Sequence, residues 1–531
     1  MTGSKFDSIS ALLLPAMMFV LFIPFLSQAY EPVPVIAEYF DMLETGNFET
    51  AQMMWETSCQ ERATRFGIEY ADIPIRTDCT SPVVYDLDVM RRYLYQPVKQ
   101  YKEFEHETFV RLEYYQTVDD QPVQHFYYLK RDGDFYWLIY PQDFFTRDWP
   151  VRETKYFRIH YHPDNLKYLN PVLIEESDRF IETTAATLKI SKADLETLEA
   201  KKIEFFFCDT DSTVSQITSM TTKGLFDLAS NDIISATFPH FHEVTHFLIN
   251  YKLRRLPLFT LPLLQEGLAV YYGGRWGKKP SALFDLGIFI YREKFVELDS
   301  LLTLNGFKNN SSADIAYPLA AVFTSYLMDK LGQNKYFELY LAGSGKYRDL
   351  KNLTADEVKN RLLSFVGFDD WSVLVADFNR YLDDRLAVLK AAEPGRPEKG
   401  SIILENEHFK ISKDKDWLAF EFPGQQGDTL FQGSLFFNRD SRLDGTVCPL
   451  FEEQFQGAVA FEGYRYSVRF DRNEAGLYDY GTNELVAKYI WGISPMEGYY
   501  DPGANSIYIK FKMAVFGNRA PDFKDFKFFP L

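Results

Sequence analysis

Within Pro239-His240-Phe241-His242-Glu243-Val244-Thr245-His246-Phe247-Leu248, three side chains form the pattern H-E-x-x-H: His242, Glu243 and His246. Residues four apart share one face of a helix, so both imidazoles can turn towards a single metal ion. Glu243 sits beside them, where its carboxylate can reach a water held by that ion. Phe241, Val244, Phe247 and Leu248 supply apolar faces for the helix, and Pro239 suits a first helical turn, where its missing N–H is harmless. Catalytic zinc takes three protein ligands and keeps a fourth position for water, so the pair needs one more ligand. Glu266, in Leu263-Leu264-Gln265-Glu266-Gly267-Leu268-Ala269-Val270-Tyr271-Tyr272, is the candidate. Pro262 can open this second helix and Gly273-Gly274 can close it, and the loop around residues 254–260 would fold it back on the first. At this histidine content H-E-x-x-H arises by chance in about one or two per cent of such chains.

These residues resemble the gluzincin branch of the zinc metallopeptidases, which carries an H-E-x-x-H helix and a downstream glutamate ligand. The 19 residues between His246 and Glu266 match the thermolysin-like spacing. Gln265-Glu266-Gly267-Leu268-Ala269 looks like the second-helix segment of peptidase MA-like domains. The resemblance covers residues 151–390, with the specific matches in 240–272. It implies one zinc ion per chain on His242, His246 and Glu266, with Glu243 as general base in peptide hydrolysis. It also implies a donor for the developing oxyanion, for which Tyr317, in Ile315-Ala316-Tyr317-Pro318-Leu319, is the candidate. The segment from Tyr317 to Gly332 looks like the helix that follows the site in such domains. Two family features are missing. Gly-Ala-Met-Glu-Asn, which holds the substrate amino terminus in the related aminopeptidases, does not occur. Val270 stands four residues after Glu266 where the thermolysin-like pattern has an acid, so the groups that orient the histidines must come from elsewhere.

The elements that must position these residues divide the chain into a multidomain α+β protein. Residues 30–150 read as a small α+β domain. Val35, Ile36, Tyr39, Phe40 and Leu43 recur at helical spacing up to Gly46-Asn47, and a second helix runs from Phe48 to Trp55. Strand-like runs follow at Val110 to Gln116, His125 to Lys130 and Phe135 to Tyr140. The last two flank the turn Arg131-Asp132-Gly133-Asp134. This order of elements resembles the NTF2-like fold. Residues 151–393 form the metallopeptidase-like domain, with strands at Tyr156 to Tyr161 and Ile203 to Cys208 between helices. Asn231 to Thr237 reads as a strand, and an edge position there would let substrate backbone pair with it. Residues 394–400, Pro394-Gly395-Arg396-Pro397-Glu398-Lys399-Gly400, are a linker. Residues 401–531 read as a β-sandwich, with Ile507, Ile509, Phe511, Met513 and Val515 alternating along one strand.

Residues 1–29 read as an export signal: an apolar run from Ile9 to Leu26 preceded by Lys5, then Ser27-Gln28-Ala29, a small-x-small cleavage site before Tyr30. Pro15 and Pro24 argue for cleavage over an uncleaved anchor. The expectation is a secreted or periplasmic protein with no membrane span after signal removal. Export makes disulfides permissible, and Cys59 and Cys79 are close enough in sequence to be a candidate pair; Cys208 and Cys448 lie far apart. A net charge of −18 without a basic block excludes nucleic-acid binding. The substrate class is peptide or protein. Two other readings remain open: a catalytically inactive peptidase-fold protein serving in binding or assembly at the cell envelope, and a glycan-binding protein whose C-terminal β domain contacts envelope sugars through Trp417 and Trp491. His240 is read as substrate-side or surface, and His160, His162 and Asp164 as a weak second cluster.

Overall fold

The computed structural model describes residues 33–71, 73–85, 108–118, 121–133, 135–390, 401–413, 415, 417–423, 433–445, 462–471, 474–490, 498–501, 506–516 and 521–530. The residues read as an export signal, those read as a linker at 394–400, Cys448 and Trp491 lie outside these residues. The architecture is mixed α+β with several sheets, in two compact units: residues 1–63 with 74–147, and residues 64–73 with 148–531. The division expected from sequence, at about 150 and 394–400, differs in two places. Residues 64–73 belong with the second unit, because Glu69–Ala71 pairs in parallel with Arg255–Pro257. Residues 401–531 share that unit as well.

In the first unit, helices α1 (Val33–Glu44) and α2 (Phe48–Met53) precede an antiparallel sheet of β1 (Phe109–Val118), β2 (Gln121–Asp132) and β3 (Phe135–Ile139). Asp132 pairs with Phe135 across a tight turn, and Gly133 takes the left-handed conformation (φ 61°) such a turn demands. Cys59 and Cys79 are not joined. Both are buried free thiols, Cys59 beside Asp143 and Cys79 beside the Arg76 guanidinium.

In the second unit, β4 (Val151–Glu153), β5 (Phe157–Tyr161), β6 (Ile203–Phe207), β7 (Gly224–Phe226) and β8 (Ile233–Ser235) form one sheet in the order β4-β5-β6-β8-β7. β5, β6 and β8 are parallel, with α3 (Pro171–Thr187) in the connection after β5. β8, read from sequence as an edge candidate, is interior. The short β7 pairs antiparallel with it and forms the edge instead. Three residues of β7 are too few for a sequence pattern to register.

The helices that follow include α4 (Phe241–Leu253), α5 (Pro262–Gly273), α6 (Pro280–Arg292) and α7 (Ala313–Ala342), the last interrupted at Gly332. Every residue of α4 from Phe241 to Tyr251 is buried. A helix buried all round belongs to the core, and its two histidines and glutamate must find polar partners or a metal there. Pro239 falls outside it, because His240 is the N-cap. Two glycines let the helices meet. A Cβ on Gly273 would lie 2.4 Å from the Phe241 carbonyl oxygen, so the end of α5 abuts the start of α4. A Cβ on Gly267 would lie 2.6 Å from the Ala320 carbonyl oxygen, so α5 and α7 touch at backbone distance.

Residues 401–530 form two five-stranded antiparallel sheets around one core. The first contains β9 (Ser401–Glu405), β10 (Lys410–Lys413), β11 (Trp417–Pro423), β16 (Gly498–Asp501) and β17 (Ser506–Lys512). The second contains β12 (Gly433–Asp444), β13 (Glu462–Phe470), β14 (Glu474–Asp479), β15 (Glu484–Ile490) and β18 (Lys527–Pro530). Leu418, Phe420 and Phe422 pair with Phe511, Ile509 and Ile507, and all six are fully buried. β17 stops at Lys512, and Met513–Phe516 turns into a 3₁₀ helix that puts Phe516 into the core, so the alternation read as far as Val515 overruns the strand.

Candidate metal centre

His242 and His246 project from α4 and Glu266 from α5 towards one point. His242 Nε2 lies 3.1 Å from Glu266 Oε2 and 3.2 Å from His246 Nε2. His246 Nε2 lies 3.5 Å from the same carboxylate oxygen. Tetrahedral zinc with ligands about 2.0–2.1 Å away separates them by about 3.3 Å, so this triangle has the size and the donor set for that ion. Among the described residues it is the one such His/Cys/Asp/Glu group.

The ligand orientation is fixed by backbone. His242 Nδ1 is 3.0 Å from the Gly274 carbonyl. A carbonyl only accepts, so Nδ1 carries the proton and Nε2 presents its lone pair to the site. This contact supplies the orienting partner absent from the sequence pattern, and the glycine contact between α4 and α5 brings it within reach. The electrostatics are those of a closed cluster. Burial pushes the Glu266 carboxyl up, but the two histidines beside it, His246 foremost, outweigh that and hold it well below the carboxylate range. Burial lowers His246, and the Glu266 charge more than restores it, leaving it above its ordinary value.

Glu243 is buried on the same helix. Its Oε2 accepts the Phe226 backbone N–H of β7 at 2.9 Å. Burial raises its carboxyl, but His240, His242 and His246 together bring it below normal, so it is ionised. His240 is not at the surface. It is buried at the N-cap of α4, its Nδ1 2.9 Å from Ser235 Oγ and its Nε2 3.9 Å from Glu243 Oε1. Burial presses its pKa down to about 4, so it is neutral near pH 7. Gly224 makes room for it, since a Cβ there would lie 2.2 Å from His240 Nδ1.

Tyr317, on the second turn of α7, has its ring 6.0 Å from that of His242. Burial and the nearby Glu266 carboxylate drive its hydroxyl far above the ordinary phenol range, so it stays protonated. Arg275 was not singled out by sequence, because it follows Gly273-Gly274 in a loop without periodicity. Its guanidinium lies over the Tyr317 ring, 3.2 Å from the centroid, and stacks on Trp276 at 3.5 Å. Burial lowers its pKa, against which the Glu266 and Glu243 charges act. Its Nη1 is buried without a protein partner. A cavity of about 380 Å³ holds His242, Glu243, His246, Glu266, Tyr317 and Arg275 together, with apolar walls from Leu225, Leu258, Leu304 and Phe307.

Other sequence candidates fall elsewhere. His160 bonds Glu204 at 2.7 Å in a cluster with Arg65 and Arg158, and His162 faces Asp164 at 3.7 Å, so neither joins a ligand set. Trp417 is half-buried beneath the Lys510 ammonium, 4.2 Å from its ring. No helix among the described residues is long and apolar enough to cross a membrane. Compared with known proteins, the chain matches no family model, no curated protein and no solved structure.

Proposed function

We propose that this chain is an exported zinc metallopeptidase of the gluzincin type, with an NTF2-like domain before the catalytic domain and a β-sandwich after it. The observation that carries the reading is the triangle of His242 Nε2, His246 Nε2 and Glu266 Oε2, 3.1, 3.2 and 3.5 Å apart, with ionised Glu243 beside it. His242, His246 and Glu266 hold the zinc. When bound, zinc supplies Lewis acidity, lowering the pKa of water towards about 7 and polarising the scissile carbonyl.

The rest belongs to the chain's own residues. Glu243 carries the proton: with Oε2 held by Phe226 N–H, Oε1 takes the proton of the attacking water and returns it to the departing amine. The protonated Tyr317 hydroxyl and Arg275 Nη1 donate to the carbonyl oxygen as charge builds on it. The apolar wall of Leu258, Leu304 and Phe307 suits an apolar side chain beside the scissile bond. Export places this activity in the periplasm or outside the cell. The intact base favours this reading over an inactive peptidase-fold protein at the envelope, which has no catalytic use for Glu243. The test is hydrolysis of a mixed peptide library by the zinc-loaded protein and by Glu243→Gln. Cleavage should fall at least about a hundredfold in the variant with zinc retained. Equal rates would overturn the mechanism, and no cleavage by either protein would favour the inactive reading.

A further inference from the structure

A second cavity, of about 370 Å³, adjoins the metal centre on the His242 side. Its walls include His240, His242, Arg275 and Trp276 from the catalytic domain, and Thr482, Asn483 and Glu484 from the C-terminal sheets. Thr482 and Asn483 belong to the turn between β14 and β15 and Glu484 opens β15, more than two hundred residues further along the chain.

The turn is held in place from both sides. Tyr480 N–H donates to the Arg465 carbonyl at 2.8 Å, and Gly481 N–H to Asp479 Oδ1 at 2.9 Å. On the catalytic side, Arg275 and Lys278 exchange both backbone hydrogen bonds across a two-residue turn. Trp276 and Gly277 take left-handed conformations there (φ 47° and 65°), as a mirror-image hairpin turn requires. The same small hairpin then pairs with β15: Leu485 N–H donates to the Gly277 carbonyl at 2.6 Å, and Lys279 N–H to the Leu485 carbonyl at 3.0 Å. Lys279 Nζ adds an ion pair to Asp479 at 3.2 Å. One short segment thus carries Arg275 to the metal centre and fixes the β14–β15 turn beside it.

Asn483 is the residue this scaffold leaves unexplained. It is 2% exposed, sits at φ 56°, and both its Oδ1 and its Nδ2 are buried without a partner. Burying a donor and an acceptor with neither satisfied is unfavourable, and a native fold that keeps such a pair needs a reason for it. A carboxamide offers one donor and one acceptor side by side, complementary to the C=O and N–H of a peptide main chain. We propose that Asn483, supplied by the C-terminal domain, binds a main-chain amide of an extended peptide substrate at a subsite flanking the metal centre. The inference rests on the peptidase reading and deepens it: the substrate is a peptide long enough to reach from the zinc to the β14–β15 turn, and the C-terminal domain is part of the active site.

The test uses full-length protein and end-blocked fluorogenic alanine peptides of two to eight residues. Wild-type kcat/KM should step up at one length, and Asn483→Gly, which tolerates the positive φ but lacks the carboxamide, should remove that step. The ratio of kcat/KM for the longest to the shortest peptide should fall about tenfold, the loss of a pair of hydrogen bonds. Asn483→Asp keeps the shape and the acceptor but not the donor, and should show the same loss if Asn483→Gly folds poorly. A structural role would lower both ends of the series alike, and an unchanged ratio in a folded variant overturns the subsite while leaving the peptidase reading intact. Calorimetric binding of the octapeptide to Glu243→Gln separates the two claims. Binding lost on adding Asn483→Gly supports the subsite even without turnover. A wild type that neither cleaves nor binds any of the series overturns the peptidase reading and this inference with it.

Discussion

Replacing Gly267 with alanine should weaken both the fold and the metal centre, against the usual direction of that substitution. Glycine inside a helix is worse than alanine by about 0.5–1 kcal/mol, so the change ordinarily stabilises. Here the new Cβ would lie 2.4 Å from Thr324 Oγ1 and 2.6 Å from the Ala320 carbonyl oxygen. The hydroxyl can rotate away, but the carbonyl is helix backbone. Ordinary contact begins near 3.4 Å, so α5 and α7 must part by about 0.8 Å (3.4 less 2.6). Overpacking of this kind costs about 1–3 kcal/mol, so after the helix-propensity gain the net loss reaches up to about 2.5 kcal/mol. The displacement falls on the neighbour of Glu266, whose carboxylate must stay within reach of both histidines. Disturbing the support of a ligand typically costs about 10–100-fold in metal affinity. Denaturant unfolding of the chelator-treated protein and competitive zinc titration measure the two effects. An alanine variant of equal or greater stability with unchanged zinc affinity would refute the packing argument.

Tyr317→Phe removes one oxygen and keeps the ring packed against Val270, Leu283 and Ala321. Steady-state kinetics should show kcat down by about tenfold to a thousandfold with KM and melting temperature little changed; a lowered melting temperature with normal kcat would make it a core residue. Glu484 gives a pH signature at the seam between helix α6 and the β domain. Burial pushes its carboxyl up to about 7 from 4.5, opposed by Lys279 at 3.9 Å and reinforced by Asp479 and Glu176. The folded chain then holds a proton that the unfolded chain releases between these values. The contribution is therefore fully present below pH 4.5 and is lost as pH rises through about 7, by at most about 3 kcal/mol. Unfolding free energies from about pH 5 to pH 8 should fall less in Glu484→Gln than in wild type, and parallel profiles would sink the assignment.

The parts of the site legible in the sequence are those set by one helix or by a residue pair with a steric signature. His242 and His246 share a face because of their spacing, and Glu266 was visible through its place in an apolar helix opened by Pro262. What escaped was set by long-range backbone pairing. Gly274 became the partner of His242 only because Gly273 lets α5 touch α4, and β7 reached Glu243 through a three-residue strand. Arg275 stands in a turn with no periodicity, and Asn483 reaches the cleft through β15 bonds to Gly277 and Lys279 that no side chain announces. The same limit explains the interior place of β8 and the early end of β17, where the hydrophobic alternation continued but the chain turned Phe516 into the core. Cys59 and Cys79 stay free thiols despite their closeness in sequence.

The most direct measurement is zinc per chain by elemental analysis of the purified full-length protein, taken for wild type, Glu243→Gln and His246→Ala under identical dialysis. The geometry of His242, His246 and Glu266 predicts one zinc in wild type and in Glu243→Gln, and loss of most of it in His246→Ala. Zinc stoichiometry unchanged by His246→Ala, or no zinc in a folded wild type supplied with the metal, would contradict the account.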